Sequence, residues 1–195
     1  ANATICFGEN PIAVNLPPHT FLQASPLGEA AIIAFITRHL KQCPNIADIY
    51  AGCGTYSLPL MLTANHVSAW EGSPDMAGAL HNAVMKGGAE NKLTVHCRDL
   101  YKEPLSTKEL TPYEGIVINP PRNGALPQCK EVAASKVKKC VMVSCNPATF
   151  QRDAEALLAG GYRLTECGVI DQFMWSSHME VVAAFERDES KTEKR

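Results

Sequence analysis

From residue 46 onward, short apolar stretches alternate with stretches of helical period, and no other feature limits the possible folds so tightly. Residues 46–50, 67–70, 93–97, 116–119 and 141–144 are apolar runs too short for helices, and they read as strands. Helical signals lie between them. Residues 57–64 can form one helix. Ser73-Pro74-Asp75 caps another, whose Met76, Ala79, Leu80, Ala83 and Val84 make one stripe before Gly87-Gly88 stops it. After the fifth strand, Asn146 is placed as an N-cap with Pro147 at the first helical position. Phe150, Ala154, Leu157 and Leu158 then recur on one face up to Gly160-Gly161. Strands at this spacing with helices between them predict parallel β-α-β units. Residues 162–170 and 180–185 read as two strands with no helix between, hence an antiparallel edge.

The flanks divide the chain. Pro11, Pro17 and Pro18 exclude a helix from residues 1–24, which read as an irregular or β-rich lead-in. Ser25-Pro26 opens a helix with an apolar face of Ile32, Phe35, Ile36 and Leu40. The expected organisation is a lead-in at 1–24, one α/β domain at 25–187, and a charged, disordered tail at 188–195. A length of 195 residues with 46% hydrophobic content suits one domain with a full core. No apolar run is long enough to span a bilayer and no signal-peptide layout is present, so the chain is read as soluble and cytoplasmic. The eight cysteines include no C-x-x-C pair, which argues against a disulfide framework. A net charge of −2 gives no general sign of nucleic-acid binding. A start at Ala1 rather than Met is expected of a fragment or a processed chain.

Polar residues gather where the strands end. A-G-C-G-T at 51–55 follows the first strand, and its Gly52 and Gly54 let backbone approach a ligand closely. It lacks the G-K-[ST] of a phosphate loop, and Ser57 stands where a dinucleotide fingerprint has its third glycine. Glu71 ends the second strand, where a carboxylate can accept from both ribose hydroxyls, and Asp99 ends the third. Together they suggest an adenosine-containing ligand without a pyrophosphate. N-P-P-R at 119–122 forms a rigid lip with Asn119 as donor and acceptor, and Arg122 is placed for a phosphate or for solvent. Cys145 sits between a strand and a helix N-terminus, a position that favours the thiolate, although a buried apolar cysteine would leave the same local pattern. D-Q-F-M-W-S-S-H-M-E at 171–180 is richer in aromatic and ionisable groups than an ordinary loop.

D-I-Y-A-G-C-G-T-Y-S-L-P-L, N-P-P-R-N-G-A, V-S-C-N-P-A-T-F-Q-R-D and D-Q-F-M-W-S-S-H-M-E, in this order, strongly resemble the RNA uracil-5-methyltransferases dependent on S-adenosylmethionine. F-L-Q-A-S at 21–25 resembles the opening of their catalytic domain, and the likeness spans roughly residues 20–187. It implies a Rossmann-like class I methyltransferase, with a mostly parallel seven-stranded sheet and an antiparallel last strand. By resemblance Cys145 is the nucleophile and Glu180 the general base. Gln23, Tyr50, Gly52, Gly54, Thr55, Glu71, Asp99 and Asn119 hold S-adenosylmethionine, and Arg122 meets the substrate. The implied partner is RNA, with rRNA favoured over tRNA. No metal or membrane is implied for these residues.

Two departures stand out. The family has D-P-P-R or D-P-x-R, and Asn119 here removes a carboxylate beside the cofactor and target base. Members also commonly carry an N-terminal RNA-binding barrel, and many an iron–sulfur cysteine set; neither is in these residues, so the chain is expected to be the catalytic part alone. Two other readings remain open. N-P-P also suits an amino-group methyltransferase acting on adenine or guanine, which needs no S-C-N-P cysteine. A cofactor-binding module that has lost catalysis, with Asn119 as the lesion, is the other.

Overall fold

The computed structural model describes residues 2–7, 10–18, 20, 25–171 and 179–188. The lead-in holds a hairpin of β1 (Asn2–Phe7) and β2 (Asn10–Asn15), antiparallel in a sheet of its own. Ile12 and Val14 of β2 are fully buried in the main core, with Ile12 lying against Gly87. α1 (Pro26–Leu40) follows. Its N-cap Ser25 accepts from Gly28 N at 3.2 Å, and the expected face of Ile32, Phe35, Ile36 and Leu40 is buried.

The central sheet has seven strands. In chain order they are β3 (Asn45–Ile49), β4 (His66–Glu71), β5 (Leu93–Cys97), β6 (Gly115–Ile118), β7 (Lys139–Ser144), β8 (Tyr162–Asp171) and β9 (Met179–Arg187), and they lie in the order β5-β4-β3-β6-β7-β9-β8. β3 to β7 are mutually parallel, whereas β9 runs antiparallel to both neighbours, β7 and β8. This is the mostly parallel, Rossmann-like sheet expected from the sequence, with the antiparallel last strand inserted one place in from the edge. β6 and β7 are buried along nearly their whole length, as parallel strands covered on both faces must be.

The helices on the two faces are α2 (Ser57–Leu60), α3 (Pro74–Lys86), α4 (Leu126–Ala134) and α5 (Pro147–Ala159). Ser73 caps α3 by accepting from Met76 N, and Asn146 caps α5 by accepting from Ala148 N at 3.1 Å. Three details differ from the sequence reading. α2 is one turn, not a helix to residue 64. α4, with no side-chain cap, was not anticipated. On α5 the buried face is Asp153, Ala154 and Leu157, while Leu158 is 43% exposed.

The chain leaves β3 toward β4 and β5 on one side and returns to β6 and β7 on the other. The sheet therefore has its switch point between β3 and β6, and the crevice above their carboxyl ends is where such sheets bind ligands.

Candidate active site

Backbone conformation builds the first wall of that crevice. After β3 the chain passes through three left-handed residues, Tyr50 at φ 65°, Gly52 at 58° and Gly54 at 88°. Glycine adopts this region freely, but tyrosine does so at a cost. Tyr50 is held there by its N–H on Trp70 O at 2.9 Å, beside Ala51 N on the same oxygen, and its ring packs against that of Tyr101. Glu71, at the end of β4, fixes the turn. One carboxylate oxygen accepts from Gly52 N at 2.8 Å, the other from Ser73 N at 2.7 Å.

The opposite wall comes from β6, β7 and β9. Asn119 N donates to Ile49 O at 3.2 Å, so the N-P-P-R lip starts beside the glycine turn. Between the walls is a cavity of about 370 Å³, within the usual range for a small-molecule site. Tyr50, Gly52, Thr55, Glu71, Asn119, Arg122, Cys145 and Glu180 all line it. Motifs distant in sequence thus meet in one place.

Two expected cofactor residues, Gly54 and Asp99, are not among those that line it. Gly54 turns toward α3, where a Cβ would stand 2.5 Å from Leu80 Cδ1, so its bareness serves packing. Asp99 is occupied in its own turn, accepting from Tyr101 N at 3.1 Å and pairing with Lys102 Nζ at 3.0 Å. The ring of Tyr101, in the same turn, meets that of Tyr50. Gln23 lies outside the described residues, as does the aromatic run at 172–178.

Cys145 and Glu180 face a shared electrostatic problem. Glu180 is 3% exposed, and burial lifts its carboxyl to about 7. The Cys145 thiol is also raised, first by partial burial and then by the neighbouring Glu180 carboxylate, while the Arg122 guanidinium opposes both. Desolvation and a like charge thus oppose the thiolate expected from the helix N-terminus.

Sequence reasoning missed Asp48. It is wholly buried, takes a hydrogen bond from Ser57 Oγ, and has its other oxygen unpartnered among the described residues. Burial raises its carboxyl to about 7; the Ser57 bond opposes this, and Glu71 adds to it. The signal was present in I-A-D-I-Y, one acid within an apolar strand. No cluster of metal-binding side chains occurs among the described residues, nor any helix long and apolar enough to cross a membrane.

The family model for tRNA (uracil-5-)-methyltransferase matches residues 18–188. The chain belongs to this family. An uncharacterized RNA methyltransferase of Mesorhizobium japonicum is 40% identical over 94% of the chain and 44% of its own length. A 23S rRNA (uracil(1939)-C(5))-methyltransferase of Hahella chejuensis is 37% identical over 73% of the chain and 33% of its own length. The chain thus spans less than half the length of these relatives. Among solved structures, the Pyrococcus abyssi tRNA (uracil-54, C5)-methyltransferase in complex with S-adenosyl-L-homocysteine superposes with a TM-score of 0.74 at 22% identity, over 94% of the chain and 44% of that protein.

The family's methyl donor is S-adenosylmethionine, and the first wall suits it. Each Glu71 oxygen takes one backbone N–H, which leaves acceptor capacity for a ribose diol on the cavity side. A Cβ at Gly52 would meet nothing within 4 Å, so backbone here lies bare toward open space.

Proposed function

We propose that residues 25–187 are the catalytic domain of a cytoplasmic enzyme that methylates C5 of a uridine in RNA, with rRNA favoured over tRNA, through a covalent cysteine adduct. The observation that carries this reading is that Cys145 and Glu180 line the same cavity as Glu71 and the glycine turn. The cofactor, held by Glu71 and Asn119 beside that turn, supplies the methyl group.

Uracil C5 is a weak nucleophile. Addition of the Cys145 sulfur to C6 places electron density on C5, which can then take the methyl group. Glu180 next removes the C5 proton, and the sulfur leaves C6 to restore the ring. A carboxyl near 7 suits a base that must accept a proton at neutral pH. Burial and Glu180 hold the thiol above its ordinary value, so in this reading it gives its proton to solvent before the sulfur adds to C6 as the thiolate. A stacked uridine must first be flipped out to reach the cavity. With a net charge of −2, this chain neutralises few phosphates, and tight RNA capture falls to a region outside it. The rRNA preference rests on the Hahella chejuensis relative, named for 23S rRNA.

RNA carrying 5-fluorouridine tests the mechanism. Fluorine replaces the proton that Glu180 removes, so an adduct should survive denaturing electrophoresis, and Cys145→Ala should abolish it. Offering ribosomal and transfer RNA in parallel tests the substrate. Methylation with no adduct would move the reading to an exocyclic amine, with Asn119 of the N-P-P lip at its centre in place of Cys145.

A further inference from the structure

We propose that Thr149 and Arg152 of α5 are positioning residues, which fix Arg122 beside Cys145 by holding the backbone of the loop at 122–125. The proposal rests on the reading of Cys145 as the nucleophile. The loop continues the N-P-P-R lip, and its consecutive backbone groups are taken by side chains 23 to 29 residues away in sequence. Arg122 O accepts from Asn146 Nδ2 at 3.1 Å and from Thr149 Oγ1 at 3.2 Å. Asn123 O accepts from an Arg152 guanidinium nitrogen at 2.9 Å, and Gly124 O from the Tyr101 hydroxyl at 3.0 Å. Ala125 N donates to Asp153, whose other carboxylate oxygen is gripped by Arg152 at 2.8 and 2.9 Å. Four successive residues are thus tied down at five points.

Gly124 shows how closely the clamp fits. It sits at φ +74°, and a Cβ there would lie 2.5 Å from both Arg152 Nη2 and Asp153 Oδ2, and 2.9 Å from Thr149 Cβ. Asp153 is fully buried, a costly place for a carboxylate that served only as surface. Bonds of this number exceed what a surface turn needs, because water would satisfy exposed carbonyls equally well. What the clamp controls is the start of the loop. Arg122 lines the cavity with Cys145, and its carbonyl receives two of the five bonds. Because α5 begins immediately after Cys145, one helix sets both the thiol and the cation that faces it.

The test reads the Cys145 thiol directly, without RNA. The purified chain is alkylated with iodoacetamide over a range of pH, and modification of the half-buried Cys145 is followed on its own peptide by mass spectrometry, since Cys97 and Cys167 are exposed and react too. The groups acting on this thiol are Glu180 of β9 and Arg122 of the loop. Arg122→Ala should move the midpoint of reactivity to higher pH. Arg152→Ala and Thr149→Val should move it the same way by roughly half a unit, and Arg152→Lys should restore part of the shift. S-adenosylmethionine affinity, measured by calorimetry, should stay within about twofold, because the clamp does not touch Glu71. Asp153→Ala is avoided because it strands a buried N–H. If Arg152→Ala and Thr149→Val lower the melting temperature but leave the Cys145 midpoint unmoved, the two residues are structural only and the proposal fails. It also fails if Arg122→Ala leaves the midpoint unmoved. If the midpoints shift as expected while fluorinated RNA forms no adduct, the clamp stands and the covalent reading of the function fails.

Discussion

Two β-α crossings border the cavity, and they are built on opposite principles. The crossing after β3 is shaped by backbone, with left-handed Tyr50, Gly52 and Gly54 in succession, steadied by one carboxylate, Glu71. The crossing after β6 has a single left-handed residue, Gly124, and owes its shape to side chains from α5 and to Tyr101. A wall of bare backbone can approach a flat ligand closely. A wall held by side chains can place a charged group at a chosen point. The first suits a cofactor that is the same in every turnover, the second a reacting base that must meet one thiol.

Alanine at the two turn glycines separates these principles most sharply. At Gly52 a methyl group meets nothing within 4 Å, so Gly52→Ala should cost only the left-handed backbone, about 1–2 kcal/mol. Gly124→Ala pays the same strain and also drives a methyl group into Arg152 and Asp153, for a total of about 2–5 kcal/mol. Urea denaturation of the two variants measures the difference. Equal losses would mean that the second crossing is no more tightly held than the first.

The same contrast explains what could be read in advance. The strands, the capped helices α1, α3 and α5, and the glycine turn were legible because each signal is local: an apolar run, a Ser or Asn before Pro, a glycine where φ must be positive. The clamp was not legible, because its partners are more than twenty residues apart and its members, Thr149, Arg152 and Asp153, look like the polar face of a helix. α4 was missed for want of a side-chain cap. Asp99 shows the reverse case. Its place beyond a strand end is as expected, but Tyr101 and Lys102, two and three residues on, engage its carboxylate, and no strand-end rule includes them. Cys145, Glu71 and Asn119 line one cavity because the carboxyl ends of parallel strands share one rim, and Glu180 joins them at the start of antiparallel β9.

Glu71 is the one side chain on which the first wall depends. Glu71→Ala should weaken S-adenosylmethionine binding by about 1–3 kcal/mol, since it removes the ribose acceptor and strands Gly52 N and Ser73 N. Isothermal titration calorimetry reads this. Thr149→Val, on the other wall, should leave the same titration nearly unchanged; a comparable loss there would merge the two walls into one unit.

Each wall also hides a carboxyl that burial holds near 7, Asp48 on β3 and Glu180 on β9. The unfolded chain releases both protons near pH 4, whereas the folded chain keeps them until about 7. Between those values the folded state binds more protons, so stability should fall as pH rises through this window. Asp48→Asn and Glu180→Gln should each flatten that decline in melting temperature between pH 5 and 8. If only one does so, burial is unequal between the walls. A rise in stability across the window in the parent chain would mean that both groups ionise early.

The smallest effect is expected where the walls meet, at Asn119. Its N–H holds Ile49 O, a backbone contact that Asn119→Asp retains, so the lip should stay in place. The new carboxylate would enter a cavity that already holds Glu71 and Glu180, which disfavours it. Near a sulfonium it would be favoured by Coulomb attraction, and these two effects oppose each other. The attraction exists only for the charged methyl donor, because S-adenosylhomocysteine is neutral at sulfur. Asn119→Asp should therefore shift the ratio of the two affinities toward the donor by no more than about threefold, under about 1 kcal/mol. Methylation should be kept or modestly raised. Paired titrations with donor and product give the ratio, with the product serving as a control for general damage to the wall. If the variant folds, binds both ligands as before, and yet loses methylation, then the amide at 119 is required by this chain's chemistry. The glycine-turn wall would then hold the cofactor for a site that the second wall has retuned around asparagine.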